Sequence, residues 1–324
     1  MPLRWPDFFV VGAPKAGTTA LHAALQQHAQ LYLSPVKEPK YFLCGDAPPP
    51  LWTGPGDAHS RREWVWRRAD YLSLFDGAPP HVLWGESTPL YLADPRAIEH
   101  LHAVAPAARI IVVLRDPVDR AYSNWMHLWS DGLEPEADFL TAVALEDQRR
   151  EAGWAPFWRY RGQGLYGQQL QTLYRFFPHE QVLLLRYRDL VDEPASTLGS
   201  VWRFLGVRDI GSPEIPRDNT KPYVSNTLRT RCIARVIRAG ATAGAWTSPS
   251  AWRRFERPLV DVLHRGGSLR PRLSAADRAG LRAGFQSDLA VLESVTGWDV
   301  GDWRHGSGRG DFASRASRGP SYAA

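Results

Sequence analysis

The chain has 324 residues, long enough to bury a substantial core, and its 39 Lys and Arg against 34 Asp and Glu give a formal charge of +5, consistent with anionic ligands but too small to mark a nucleic-acid binder. Two cysteines, Cys44 and Cys232, are too few for a disulfide framework or a zinc site, so a reducing, cytoplasmic setting is expected. No apolar run approaches the roughly 20 residues of a membrane helix and no cleavable leader pattern opens the chain, so neither a membrane span nor secretion is expected.

Phe8 to Val11 is a continuous apolar run ended by Gly12, the pattern of a central parallel strand buried on both faces. From Thr18 onward, Leu21, Ala24, Leu25 and His28 recur at helical spacing, so the chain passes from strand through GAPKAG into a helix. Such a junction is an anion site, because the unpaired first-turn amides and the positive end of the helix dipole point into the loop. Gly12 and Gly17 stand where a G-x-x-x-x-G phosphate loop puts its glycines, but Thr18 holds the place of that loop's lysine and Lys15 lies inside it. A lysine so placed would reach a group attached to a single 5′-phosphate rather than the β/γ-phosphates of ATP. The plainer alternative is a glycine-rich turn with a solvated lysine.

After a short apolar segment, Leu31 to Leu33, Ser34-Pro35 turns the chain into VKEPKYF. Pro39 biases Glu38 toward an extended conformation, so the segment is predicted as an irregular strand beside the loop. Lys37 and Lys40 flank the carboxylate; their charges would lower its pKa and burial would raise it, and an exposed Lys-Glu turn is the alternative. Residues 45–60 are rich in Pro and Gly and read as a surface loop, residues 61–75 as a helix, and His81 to Trp84 as a strand ending in GESTP. Thr88 before Pro89 is also compatible with helix entry.

Asp94 to Val104 reads as a helix and Arg109 to Leu114 as a strand, after which Asp116 caps a helix with Pro117 at its first position. Arg115 then stands at the carboxyl end of a strand, where open α/β sheets bind ligands, and Ser123 lies two turns into the helix. An arginine fork and a hydroxyl suit a dianionic phosphate, unless Arg115 is taken by Asp116 or Asp119. Residues 133–153 read as a helix followed by a Trp-rich packing turn, AGWAPFWRY. A helix over 164–177, a strand over 182–185 and a helix over 194–205 continue the βαβ series. Residues 211–231 read as a loop carrying Lys221, Arg229 and Arg231, residues 249–296 as helical, and 305–324 as a disordered tail whose RGD is a chance match. The expected fold class is α/β, a P-loop-like three-layer sandwich with a central parallel sheet flanked by helices. One domain is expected over 1–304, with a core over about 5–231 and a helical part over 232–304.

PKAGTT directly after the first strand resembles the 5′-phosphosulfate loop of sulfotransferases that use 3′-phosphoadenosine 5′-phosphosulfate (PAPS). SPVKEPKYF, 34–42, resembles the segment that carries the catalytic glutamate in the heparan-sulfate branch of that family and its soluble bacterial relatives, and RIIVVLRDPVDRAYSNW, 109–125, resembles the family's 3′-phosphate motif. More loosely, the likeness runs to about residue 231. The resemblance implies PAPS as co-substrate, adenosine 3′,5′-bisphosphate as product, Glu38 as general base, and Lys15 at the bridging oxygen of the leaving phosphate. It implies that Ala16, Gly17, Thr18 and Thr19 hold the 5′-phosphate, that Arg115 and Ser123 hold the 3′-phosphate, and that Lys221 lies in a loop closing over the nucleotide. Lys37, Lys40, Glu86, Ser87, Thr88 and Tyr166 are the acceptor-side candidates, Tyr166 standing where the family has a tyrosine near the nucleotide. No metal and no nucleic-acid partner are implied, and the acceptor is a hydroxyl or amine of an unidentified sugar, lipid or small molecule. The disulfide and the Lys-Gly-Arg sequence of the heparan-sulfate enzymes are absent. Two other readings compete: a P-loop nucleotide kinase or NTPase, disfavoured by Thr18 at the lysine position, and a binding protein that holds the bisphosphonucleotide without turnover.

Overall fold

A computed structural model describes residues 3–214, 221–243, 249–265 and 267–306. Strand β1 (Phe8–Gly12) leads into α1 (Thr18–Leu25), β2 (Leu31–Leu33), α2 (Asp57–Ser60), α3 (Arg68–Ser73), β3 (Leu83–Ser87), α4 (Pro95–Val104), β4 (Arg109–Leu114) and α5 (Pro117–Ser130). Next come α6 (Phe139–Ala144), α7 (Glu146–Glu151), α8 (Tyr166–Leu173), β5 (Val182–Arg186), α9 (Tyr187–Asp192) and α10 (Pro194–Leu205). The helices α11 (Leu228–Ala243), α12 (Pro249–His264), α13 (Ala275–Ala283), α14 (Gln286–Thr296) and α15 (Gly301–His305) follow.

The strands form one parallel sheet in the order β2-β3-β1-β4-β5. β1 sits between β3 and β4 with all five residues buried, as its unbroken apolar sequence requires of a strand covered on both faces. Right-handed crossovers assign the layers: the step from β1 to β2 runs one way and puts α1 on one face, while the steps from β3 to β4 and from β4 to β5 run the other way and put α4 and α8 on the opposite face. His28, just past α1, packs its ring against Trp202 of α10 at 4.9 Å, and α14 packs along α8, so each layer holds two or more helices. This is the three-layer α/β fold with a P-loop-like junction.

Several boundaries differ from expectation. The span 61–75 is helical only as a short 3₁₀ turn and α3, because Trp64 lies in extended backbone and packs on Trp52 instead of extending a helical face. The expected 133–153 helix is broken at Leu145, where α6 gives way to α7 and Glu146 accepts bonds from the amides of Arg161 and Gly162. Arg229 and Arg231 belong to the first turn of α11, not to a loop, and both are exposed. Within the expected tail His305 still belongs to α15, and residues 307–324, the RGD included, lie outside the described residues, as do 215–220.

Two aromatic-rich cores flank α5. The larger surrounds the sheet and takes in Phe285, Leu289, Leu292 and Trp303 from the C-terminal helices. The smaller joins Tyr122, Trp125 and Trp129 of α5 to Phe139, Trp158, Ile237 and Leu263.

Candidate active site

At the end of β1 the loop is tied to the neighbouring strand by Ala13 N–H donating to Val113 O at 2.7 Å. Gly17 follows with φ +89 and serves as N-cap of α1 without any side chain to cap it, so the first-turn amides are left to a ligand. A side chain there would be strained by the backbone and would strike Tyr187, whose ring carbon lies 2.7 Å from the position of an added Cβ. Thr18 and Ala16 are buried at this turn and Thr19 is exposed.

Arg115, at the end of β4, lies over the ring of Tyr187 at 4.6 Å and donates to the carbonyl of Lys15 at 3.1 Å. The cation expected near a nucleotide phosphate is thereby held against the loop. Asp116 caps α5 by accepting from the amides of Val118 and Asp119, with Pro117 at the first position. Asp119 receives Arg278 of α13 at 2.5 Å. Ser123 is buried on α5, and one and two turns further along the same face stand His127 and Asp131.

Lys15 is the centre of the charge cluster. Burial, and then the positive charges of Arg270 and Lys221, push its ammonium down to about 8, with Asp131 and Glu38 opposing. Lys221 pairs with Asp131, and Arg270 donates to the carbonyl of Lys221 at 3.1 Å. His127, 3.7 Å from Asp131, is held well below its ordinary pKa by burial and by Lys15, Lys221 and Arg270, so its imidazole is neutral at neutral pH.

Glu38 is not extended, as Pro39 suggested, but left-handed, with φ +63. Its amide donates to Ser87 O at 3.0 Å, and its carboxylate accepts Lys37 at 2.5 Å. Burial alone would raise its pKa, but Lys37, Lys40 and Lys15 outweigh that effect and hold it below the ordinary value. The group is therefore an anion facing Lys15. Five non-glycine residues have positive φ among those described, and Lys15, Glu38 and Lys40 are three of them, a concentration of backbone strain at one place. Lys40 lies over Trp64 at 5.4 Å, and its amide donates to Thr88 Oγ1 at 3.3 Å.

Glu86, Ser87 and Thr88 lie behind this segment and are buried. Glu86 accepts hydrogen bonds from Tyr71 at 2.9 Å, Tyr91 at 3.1 Å and Thr88 at 2.5 Å, and burial raises its pKa to about 7 against the pull of those hydroxyls. Ser87 Oγ meets His22 Nδ1 at 2.9 Å, and burial holds that histidine near 4. These groups back Glu38 and Lys40 directly: Ser87 O and the Thr88 hydroxyl accept from their amides, and the charge of Glu38 acts on Glu86. Tyr166 is fully buried, with its ring 6.3 Å from Trp303, and the groups that act on its hydroxyl are Arg120, Asp116 and Arg115, so it lies on the Arg115 side of the site. His127, Asp131, Tyr187 and Arg270 were not singled out from the sequence. The first two carry a signal, since they continue the face of α5 that holds Ser123 at spacings of four residues; Tyr187 follows a strand end in an open sheet; Arg270 has none.

The fold and this site define a P-loop-like α/β protein whose strand-to-helix loop faces a carboxylate across a cluster of cations. Residues 5–230 match the family described as the sulfotransferase domain, and the chain belongs to that family. It is 30% identical over 207 residues to human heparan sulfate glucosamine 3-O-sulfotransferase 6, covering 64% of this chain and 54% of that protein. It is 28% identical over 240 residues to human bifunctional heparan sulfate N-deacetylase/N-sulfotransferase 2, covering 72% of this chain and 26% of that protein. The chain thus spans about half or less of the length of these curated relatives. Its fold matches the crystal structure of a sulfotransferase from Alicyclobacillus acidocaldarius with a TM-score of 0.72 and 28% identity, over 93% of this chain and 99% of that one. Among the described residues no helix is long and apolar enough to cross a membrane.

Proposed function

We propose that the protein transfers a sulfuryl group from PAPS to a hydroxyl or amine and releases adenosine 3′,5′-bisphosphate. The observation that carries this reading is the meeting of Lys15 and an ionised Glu38 beside the uncapped N-terminus of α1. The donor fits the residues present: the amides of 16–19 and Lys15 suit a 5′-phosphosulfate, and Arg115, held by Tyr187, with Ser123 suits a 3′-phosphate. In the reaction the acceptor atom attacks sulfur, the bond from sulfur to the bridging oxygen of the 5′-phosphate breaks, Glu38 takes the acceptor's proton, and Lys15 neutralises charge on the departing oxygen. Holding the three reacting atoms in line would supply much of the rate, as in phosphoryl transfer.

The names of the two human relatives divide between O- and N-sulfation, so both acceptor atoms stay within the proposal. Lys37 and Lys40 line the acceptor side, backed by the buried Glu86, Ser87 and Thr88, the acceptor being a sugar, a lipid or a small molecule. In this reading residues 1–304 form one catalytic domain working in a reducing, cytoplasmic setting, and Lys221 belongs to the cover over the nucleotide. Thermal unfolding tests the donor. Adenosine 3′,5′-bisphosphate at about 100 times its Kd adds about 2.7 kcal/mol and raises Tm by several degrees, whereas ATP with magnesium gives a much smaller shift. An equal or larger shift with magnesium and ATP would favour a nucleotide kinase or NTPase.

A further inference from the structure

The family match ends at residue 230, yet the cation that acts most strongly on Lys15 comes from beyond it. Arg270 lies in the segment between α12 and α13. That segment is fixed on both sides: Tyr223 and Ser268 exchange both backbone hydrogen bonds at 3.0 Å, and Tyr122 of α5 donates to Pro271 O at 2.7 Å. Gly267 permits the close approach, since a Cβ there would lie 2.6 Å from Pro222 Cβ. The result is Arg270 with Nε on the carbonyl of Lys221, and Lys221 on Asp131, the C-cap of α5.

We propose that Arg270 is a donor-binding residue whose guanidinium completes, with Lys15 and Lys221, the pocket for the 5′-phosphosulfate. This inference rests on the nucleotide reading above. Three cations converge here, while of the two carboxylates that face Lys15, Asp131 is paired with Lys221 and Glu38 with Lys37. Like charges gathered in a partly buried place repel, and a ligand bearing two or more negative charges relieves that repulsion. The donor rather than the acceptor is favoured by position: the charges that act most on Glu38 are Lys37, Lys40 and Lys15, whereas those that act most on Lys15 are Arg270 and Lys221. Arg270 therefore belongs to the leaving-group side of the site. A planar fork at that point can hold two phosphosulfate oxygens in a fixed bidentate geometry that a lysine does not impose.

The test compares two nucleotides by calorimetry on the whole chain, adenosine 3′,5′-bisphosphate and adenosine 3′-monophosphate, with wild type, Arg270→Gln and Arg270→Lys. Arg270→Gln is expected to lose about tenfold or more in bisphosphate affinity and less than about twofold in monophosphate affinity, and Arg270→Lys to recover part of the loss. The pH dependence supplies a second readout. Lys15 faces Arg270, Lys221, His127, Asp131 and Glu38, so bisphosphate binding by wild type weakens as pH rises through about 8. In Arg270→Gln that weakening moves to higher pH, because a positive neighbour has been removed from the ammonium. Unchanged bisphosphate affinity, or a parallel loss for both nucleotides with no movement of the pH limb, overturns the role of Arg270 and leaves the nucleotide reading standing. A wild-type chain that binds neither nucleotide overturns that reading, and the inference with it.

Discussion

Glu38 and Glu86 stand on adjoining pieces of chain and are driven in opposite directions, Glu38 down by three lysines and Glu86 up to about 7 by complete burial. Glu86 therefore binds its proton more tightly folded than unfolded. Its contribution to stability is fully present below about 4.5 and is lost as pH rises through about 7, a change on the order of 3 kcal/mol. Wild type is accordingly expected to gain stability relative to Glu86→Gln when chemical denaturation is moved from pH 8 to pH 5. A difference that does not vary with pH would contradict the assignment. At this scale the motifs made the positions of Lys15, Glu38 and Arg115 legible, because glycine spacing and strand ends depend on local sequence. The left-handed turn at Glu38 and the hydroxyl shell of Glu86 were not, since Tyr71 and Tyr91 reach that carboxylate only through tertiary packing.

The element that organises the site is α5, which carries Ser123 and His127 a turn apart, whose N-terminal cap adjoins Arg115 and whose C-cap is Asp131. Trp129 donates to Val224 O at 2.8 Å and His264 bonds Ser130 O at 2.9 Å, so the same helix also seats the later segments. The strap after it is held by a buried pair: Glu134 takes both terminal nitrogens of Arg149, at 2.6 and 3.0 Å, together with the hydroxyl of Tyr160. Removing one partner leaves the other charge buried. Glu134→Ala is expected to cost about 3 kcal/mol or more by urea denaturation, and the double change with Arg149→Met to recover much of it. A single-variant loss under about 1 kcal/mol would show the pair to be dispensable. Asp94-Pro95 and Asp116-Pro117 announced their helices because caps are local chemistry. The break at Leu145 was invisible, since the bonds that Glu146 accepts come from residues 161 and 162.

At the scale of the whole molecule, the sheet and its layers follow from five strands and the handedness of their connections, and a central parallel sheet flanked by helices could be read from the chain in order. The C-terminal helices could not be placed that way. Asp288 of α14 caps α8 by accepting from the amides of Gly167 and Gln168 at 2.8 and 3.0 Å, and Arg278 of α13 pairs with Asp119. These are single polar contacts between segments more than 100 positions apart, with no periodic signal. Together they fasten the region after residue 231 to the N-terminal turns of α8 and α5, and Arg270 lies in the same region.

Transfer of label from sulfur-labelled PAPS to a panel of hydroxyl and amine acceptors, run with wild type and Glu38→Gln after both are shown to bind adenosine 3′,5′-bisphosphate, tests the central claim most directly. Wild type is expected to label at least one acceptor and to release one bisphosphate for each group transferred. Glu38→Gln should keep its nucleotide affinity and fall by roughly 100-fold or more in turnover, because the base is removed while size and most hydrogen bonding remain. Near-native transfer by Glu38→Gln would contradict the assignment of the base, and tight bisphosphate binding with no transfer to any acceptor in the panel would contradict the claim that the site is catalytic.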